Sequence, residues 1–185
     1  MSVTATICMA SGEAMRLNLF WDKAPLTVAN FADLCRRGYY DGLTFHRVVE
    51  GFMIQGGAKN GSCGGNSPGF GIPGEFAENG VDTCLRHTRG VISMARPKNP
   101  DGASTQFFIL HRDTPRLDGK YAAFGALADA RSLAVLDRIA SVPTASPEQE
   151  NRPLSPEIIA SITIDDSGAA LPPPVRIPAP GDSHE

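Results

Sequence analysis

The chain has 185 residues, 42% hydrophobic and 20% charged, which suits one domain with a sizeable core. Against 20 Asp and Glu stand 17 Lys and Arg, a net charge of −3, so neither nucleic acid nor an anionic membrane surface is indicated as the main partner. No stretch of about eighteen apolar residues suggests a membrane span.

Residues 3–9 and 14–20 are expected as two strands around the turn Ser11-Gly12-Glu13. In the second, Met15, Leu17 and Leu19 alternate with Arg16 and Asn18, the period of a half-buried strand. Pro25 fits the first position of a helix. Val28, Phe31, Ala32 and Cys35 follow at helical spacing, and Gly38 ends it. Residues 45–57, FHRVVEGFMIQGG, predict a strand pair joined at Glu50-Gly51. Nine glycines and two prolines in 56–82 leave no room for regular structure, and so long a loop in a compact domain is more often functional than idle. Short apolar runs resume at 91–95, 106–110 and 121–126. A second helix is expected over 131–140, with Leu133, Leu136 and Ala140 on one face, and a last strand over 158–164.

This order of elements predicts a mainly β domain, a closed β-barrel with two helices rather than alternating βαβ units. The domain is expected to run over residues 1–166. From 167 to 185 the composition shifts: GAALPPPVRIPAPGDSHE has five prolines in eighteen residues, which predicts an extended, mobile tail.

Familiar chemical motifs fail on context. His111-Arg112-Asp113 lacks the asparagine and the DFG of a kinase. GGAKNGSCGG lacks the GK[ST] ending of a phosphate loop, and no GxSxG occurs. The four histidines show no metal-ligand spacing, and His87 and His111 are read as hydrogen-bonded structural residues. Cys8, Cys35, Cys63 and Cys84 form no CxxC pair. The N-terminal stretch MSVTATICMASGEAM has neither a basic segment nor a long apolar run, so a cytoplasmic protein with reduced thiols is expected. No metal and no cofactor are expected.

A site without nucleophile or metal can still catalyse a reaction that makes and breaks no σ-bond. Arg47 and Gln55 are conspicuous within an otherwise apolar strand pair. From the residues alone, Arg47 has two readings, an ion pair with Glu50 or another surface carboxylate, or a role facing a ligand. Phe45, Val49, Ile54 and Phe107 are read as barrel core, because strand neighbours point to opposite faces. Met53 and Phe108 would default to core as well.

The strings FHRVVEGFMIQGG, ISMAR, STQFFIL and LDGKYAAFG resemble the cyclophilin family of peptidyl-prolyl cis–trans isomerases, over about residues 3–165. The form GEFAENG…LRHTRGVISMARPKNPDGASTQFFI is similar to the bacterial type. The resemblance implies an eight-stranded antiparallel barrel capped by two helices, with the site on its outer face, and proline-containing polypeptides as substrates. It implies that Arg47 is the catalytic arginine, supported by Phe52 and Gln55. It places Met53, Phe108 and Leu117 with Phe52 in the proline pocket, and Ala95, Gln106 and Tyr121 on its walls. Arg96 and Lys98 lie in a basic, proline-stiffened loop that in the family borders the pocket for the residue two before proline, so acidic or polar neighbours are expected to be favoured there. Tyr121 stands where the family usually has histidine. Arg116 stands where many members have a tryptophan that helps hold cyclosporin, so weak cyclosporin binding is expected. A monomer is expected. The alternatives are a proline-binding module without turnover, and a tail that serves as a docking ligand or occupies the chain's own site.

Overall fold

The computed structural model describes residues 2–64, 68–167 and 169–178. Strands β1 (Val3–Met9) and β2 (Ala14–Leu19) form the first hairpin, and Gly12 takes the positive φ of its turn. Helix α1 (Pro25–Arg36) follows, then β3 (Phe45–Val49) and β4 (Met53–Gly56), β5 (Phe70–Gly71), β6 (Val91–Met94), β7 (Phe107–Leu110), β8 (Ala123–Leu127), α2 (Ala130–Ala140), β9 (Ile159–Asp165) and β10 (Ile177–Pro178). The anticipated helices and strands lie within a residue or two of their expected bounds.

Eight strands make one antiparallel sheet in the order β3-β4-β7-β6-β8-β2-β1-β9. The sheet is an open half-barrel, not the closed barrel expected. Its edge strands β3 and β9 meet only near the isolated bridge between Thr44 and Ile158. There Phe45 N–H donates to the Glu157 carbonyl at 2.9 Å and Ile159 N–H to that of Leu43 at 2.8 Å. The segment that would extend this pairing carries Pro153 and Pro156, which have no N–H to give a ladder.

The interior is packed by aromatic rings. Phe31 of α1 lies 5.6 Å from Phe107 and 5.2 Å from Phe124, and Tyr40 is 5.4 Å from Phe107. The Tyr40 hydroxyl, fully buried, donates to the Thr105 carbonyl at 2.9 Å, so it carries no desolvation penalty for an unmade bond. Val135, Leu136, Ile139 and Ala140 of α2 join the same core.

The start of α1 has no side-chain cap of its own. Instead Glu75, from the long glycine-rich loop, accepts from the N–H groups of Leu26 and Thr27 at 3.0 and 2.8 Å. A carboxylate is favourable there because the first turn leaves N–H groups unpaired. The loop is thereby tied to the helix. It approaches the segment leading into β7 so closely that a Cβ on Gly57 would sit 2.4 Å from the Thr105 carbonyl oxygen.

Residues 169–178, expected as part of a loose tail, are extended but docked. β10 pairs with β5, Arg176 reaches Asp33 of α1 at 2.7 Å, and its guanidinium lies 4.4 Å over the Phe70 ring. These residues lie along α1 and β5 and are not among those lining the cavity described below. No described helix is long and apolar enough to cross a membrane.

Candidate active site

The β3–β4 hairpin positions the first elements of the site. Ordinary alternation from Phe45 would turn Arg47 inward, but a β-bulge at His46 shifts the register between Phe45 and Arg47. Phe45 and Val48 both enter the core, while Arg47 and Val49 face out. Bulges commonly re-aim a side chain in this way. Val49, expected in the core, is accordingly on the outer face, packed with Phe52 and Met53. Burial holds the His46 ring below its ordinary pKa, so the bulge adds no second cation beside Arg47.

Arg47 and Gln55 are direct cross-strand partners. A directed chain of hydrogen bonds starts there. Arg47 Nη1 donates to Gln55 Oε1 at 3.4 Å, Gln55 Nε2 to Gln106 Oε1 at 3.0 Å, and Gln106 Nε2 to the Cys63 carbonyl at 3.4 Å. Each amide is fixed in one orientation, because reversing either would set donor against donor.

Beside this polar chain lies an apolar floor. Met53 and Phe108 stand opposite each other's neighbours on β4 and β7, with Phe52 from the hairpin turn and Leu117 from a single 3₁₀ turn at Pro115–Leu117. Tyr121 meets Phe108 edge to face, centroids 6.0 Å apart. Ala95 follows β6 directly, its N–H donating to the Gln106 carbonyl. Arg96 is clamped between two rings, its guanidinium 4.8 Å from both Phe76 and Tyr121. All ten residues singled out in the sequence line one open cavity of about 360 Å³. That size and lining, apolar with a few convergent polar groups, suit a side chain with its flanking backbone.

Phe108 is supported from behind. The buried His87 ring stacks on it at 6.5 Å, with Nδ1 3.1 Å from Asp118 Oδ1 and Nε2 3.0 Å from Ser93 Oγ. Burial lowers the His87 pKa despite Asp118. A neutral ring satisfies both contacts, its Nδ1–H donating to the carboxylate and Nε2 accepting from the hydroxyl. His111 is likewise structural: its Nδ1 accepts from Gly51 N–H at 2.8 Å, fixing the turn where Gly51 takes φ +75°. No described group of His, Cys, Asp or Glu is arranged to hold a metal ion.

The chain matches the family model for cyclophilin type peptidyl-prolyl cis-trans isomerases over residues 4–164. A peptidyl-prolyl cis-trans isomerase of Synechococcus elongatus is 44% identical over 146 residues, 76% of this chain and 95% of that one. One from Helicobacter pylori is 44% identical over 135 residues, 73% of this chain and 78% of that one. The crystal structure of a Cryptosporidium parvum cyclophilin, 30% identical, aligns with TM-score 0.74 over 90% of this chain and 99% of its own. The chain belongs to the cyclophilin family. It is a peptidyl-prolyl cis–trans isomerase.

The cyclophilin cavity also has a second wall that the sequence reading passed over: Cys63, Pro97, Gly102 and Ser104. The available signal for Cys63 was the glycine-rich stretch from 56 to 82, and for Pro97 the proline-stiffened loop after Ala95; nothing in the sequence singled out Gly102 or Ser104. Burial and Glu150 push the Cys63 thiol above the ordinary pKa, against a smaller opposing effect of Arg47.

Proposed function

We propose that Arg47 performs the rotation chemistry of this isomerase and that the apolar floor beside it holds the proline ring. Amide resonance gives the peptide bond a barrier of roughly 18–20 kcal/mol. X–Pro bonds populate both isomers but exchange slowly. Rotation passes through a twisted amide in which the prolyl nitrogen regains its lone pair. A guanidinium aimed at that nitrogen donates to the twisted form and gains little from the planar one, so it binds the transition state selectively. It stays charged without any tuning of its pKa.

The observation that carries this reading is the bulge at His46, which turns Arg47 out of the barrel and sets it beside Gln55 over the apolar floor. Phe52, Met53, Phe108 and Leu117 grip the ring. Gln55, oriented by Gln106, holds the flanking backbone on one side while the other rotates. Ala95, Arg96 and Tyr121 complete the walls. A Cryptosporidium parvum relative has been crystallised in the presence of the dipeptide Ala-Pro, which agrees with a proline-sized subsite here.

The substrates on this reading are proline-containing polypeptides, unfolded or partly folded, so the enzyme assists folding. The domain at 1–166 acts as a monomer in the cytoplasm, and the four free thiols are in keeping with that compartment. With Arg116 in place of tryptophan, cyclosporin binds weakly.

NMR exchange of an Ala-Pro peptide tests the reading, with wild type and Arg47→Ala at equal concentration. Fast cis–trans exchange that falls about 10²–10³-fold in the variant is the expected result, the usual cost of one transition-state donor. Full exchange by Arg47→Ala would remove Arg47 from the mechanism. Binding without accelerated exchange by wild type would make the protein a proline-binding module.

A further inference from the structure

The arginines divide into two groups. Arg36, Arg37, Arg86, Arg89, Arg138 and Arg176 each hold a carboxylate, as do Arg16 and Arg152 at longer range. Arg47, Arg96 and Arg116 have no carboxylate partner among the described residues; Arg47 and Arg96 line the cavity, and Arg116 lies beside it over the lining residue Phe52. Arg112, beside the Gly51 turn, and Arg131 of α2 are the others without one.

The cavity arginines are held without being neutralised. Arg96 donates through Nε and Nη2 to the Lys120 carbonyl at 2.9 and 2.7 Å, and through Nη1 to those of Pro97 and Lys98. Carbonyls and ring faces fix a guanidinium in place but leave its charge uncancelled. Arg116, exposed, lies 4.9 Å over the Phe52 ring and donates no hydrogen bond among the described residues. It reaches the cavity through Phe52, whereas Arg96 lines it directly beside Tyr121.

Three carboxylates close to lining residues are engaged elsewhere. Asp118, next to Leu117, is occupied by Arg86 and His87. Asp101 accepts from Gly74 N–H and the Asn79 amide. Glu150 accepts from Ser62 and Cys63. Among the described residues, no Asp or Glu lines the cavity. A chain of net charge −3 thus presents a locally cationic site.

We propose that this site favours prolines flanked, within a residue or two, by an anionic side chain, a carboxylate or a phosphate, with Arg116 as the group that meets it and Arg96 as a fixed supporting charge. The proposal rests on the isomerase reading above. Arg116 has its donors free to close on an incoming anion, whereas Arg96 acts through its field. Both effects are screened by salt.

The test is catalysed exchange, by NMR, of a peptide series in which one position from two before to two after proline is Glu, phosphoserine, Gln or Lys. At low salt the best Glu peptide is expected to exceed its Gln counterpart in kcat/KM by about three- to fivefold, the scale of one exposed charge pair. Phosphoserine should gain more and Lys less, with all ratios shrinking at high salt. The Glu-to-Gln ratio should fall toward one in Arg116→Gln and persist in Arg116→Lys. Preference for phosphoserine with Glu no better than Gln would identify phosphate as the group recognised.

Equal turnover of all four series would overturn charge selection while leaving the isomerase reading intact. So would loss of the ratio in Arg116→Lys, since packing rather than charge would then be responsible. Absence of catalysed exchange for every peptide would overturn the isomerase reading itself.

Discussion

The inner and outer faces of β4 and β7 carry the same kinds of side chain yet end differently. Inside, Ile54, Phe107 and Ile109 meet α1, α2 and the opposite strands and are sealed. Outside, Met53, Phe108 and Leu110 form a second, smaller cluster with Val91 and Ala123, and Phe52, Leu117 and Tyr121 pack on it only in part. Neither α1 nor α2 contributes a described residue to the cavity there. A sheet apolar on both sides needs cover on both, and here part of the outer cover is left for a ligand. The polar chain from Arg47 to Cys63 sits at the border, where charge can stay solvated.

That contrast can be broken by paired truncations. Phe107→Ala should cost about 3–5 kcal/mol in urea unfolding, because a sealed core cannot relax around the void. Phe108→Ala should cost less than half as much while raising KM for an Ala-Pro peptide, since its ring borders open space. Equal losses of stability would erase the distinction between the two faces.

Rebuilding the outer rim should have the next largest effect. Arg116→Trp is expected to tighten cyclosporin inhibition by about tenfold, the worth of one buried indole contact. Inhibition of wild type as tight as that of the variant would refute the role given to Arg116.

Acid should loosen the support beneath the outer face. Burial keeps His87, and His46, below their ordinary pKa of 6.5 in the folded chain. Below about pH 6.5 the unfolded chain therefore takes up protons that the folded one refuses, and stability falls until the folded pKa is reached. Asp118 adds a second loss at lower pH. Burial raises its pKa, but the His87 N–H and the Arg86 and His87 side chains more than offset this, leaving it below 3.8. Its contribution is present above that value and disappears as pH falls through the folded pKa. Tm should thus drop between pH 7.5 and 5.5, and His87→Gln should flatten part of that slope. A Tm independent of pH across this range would contradict the neutral His87.

The smallest effect is expected at the docked tail. Arg176 is partly buried against Asp33, whose carboxyl is held below its ordinary pKa: burial raises it, and hydrogen bonds from Arg37 and Arg176 prevail. Arg176→Ala should lower stability by about 0.5–1 kcal/mol, with exchange activity unchanged. A large loss of activity would instead tie the tail to the site through β5.

The sequence made α1, α2 and the hairpins legible because Pro25, Gly38, Gly12 and Gly51 punctuate clear periodicities. It could not separate Met53 and Phe108 from Ile54 and Phe107, since alternation is silent when both faces are apolar. Only resemblance to a family did that. The bulge at His46 left no mark in FHRVV, so Val49 was assigned to the wrong face. The seam between β3 and β9 depends on Pro153 and Pro156, whose influence shows only once the strands are placed. Proline content described the tail's extended backbone but not the docking of Arg176 on Asp33 and Phe70.

The pairing of β1 with β9 joins residues near 5 to residues near 164. On a ribosome, seven strands of the sheet can be in place while β1 still presents an unpaired row of N–H and C=O groups. Until Ile159–Asp165 emerges, that edge is open to any neighbouring strand. Vectorial synthesis therefore leaves this chain one late step, and the helper most useful at that moment would be one that shields β1 rather than one that turns a proline.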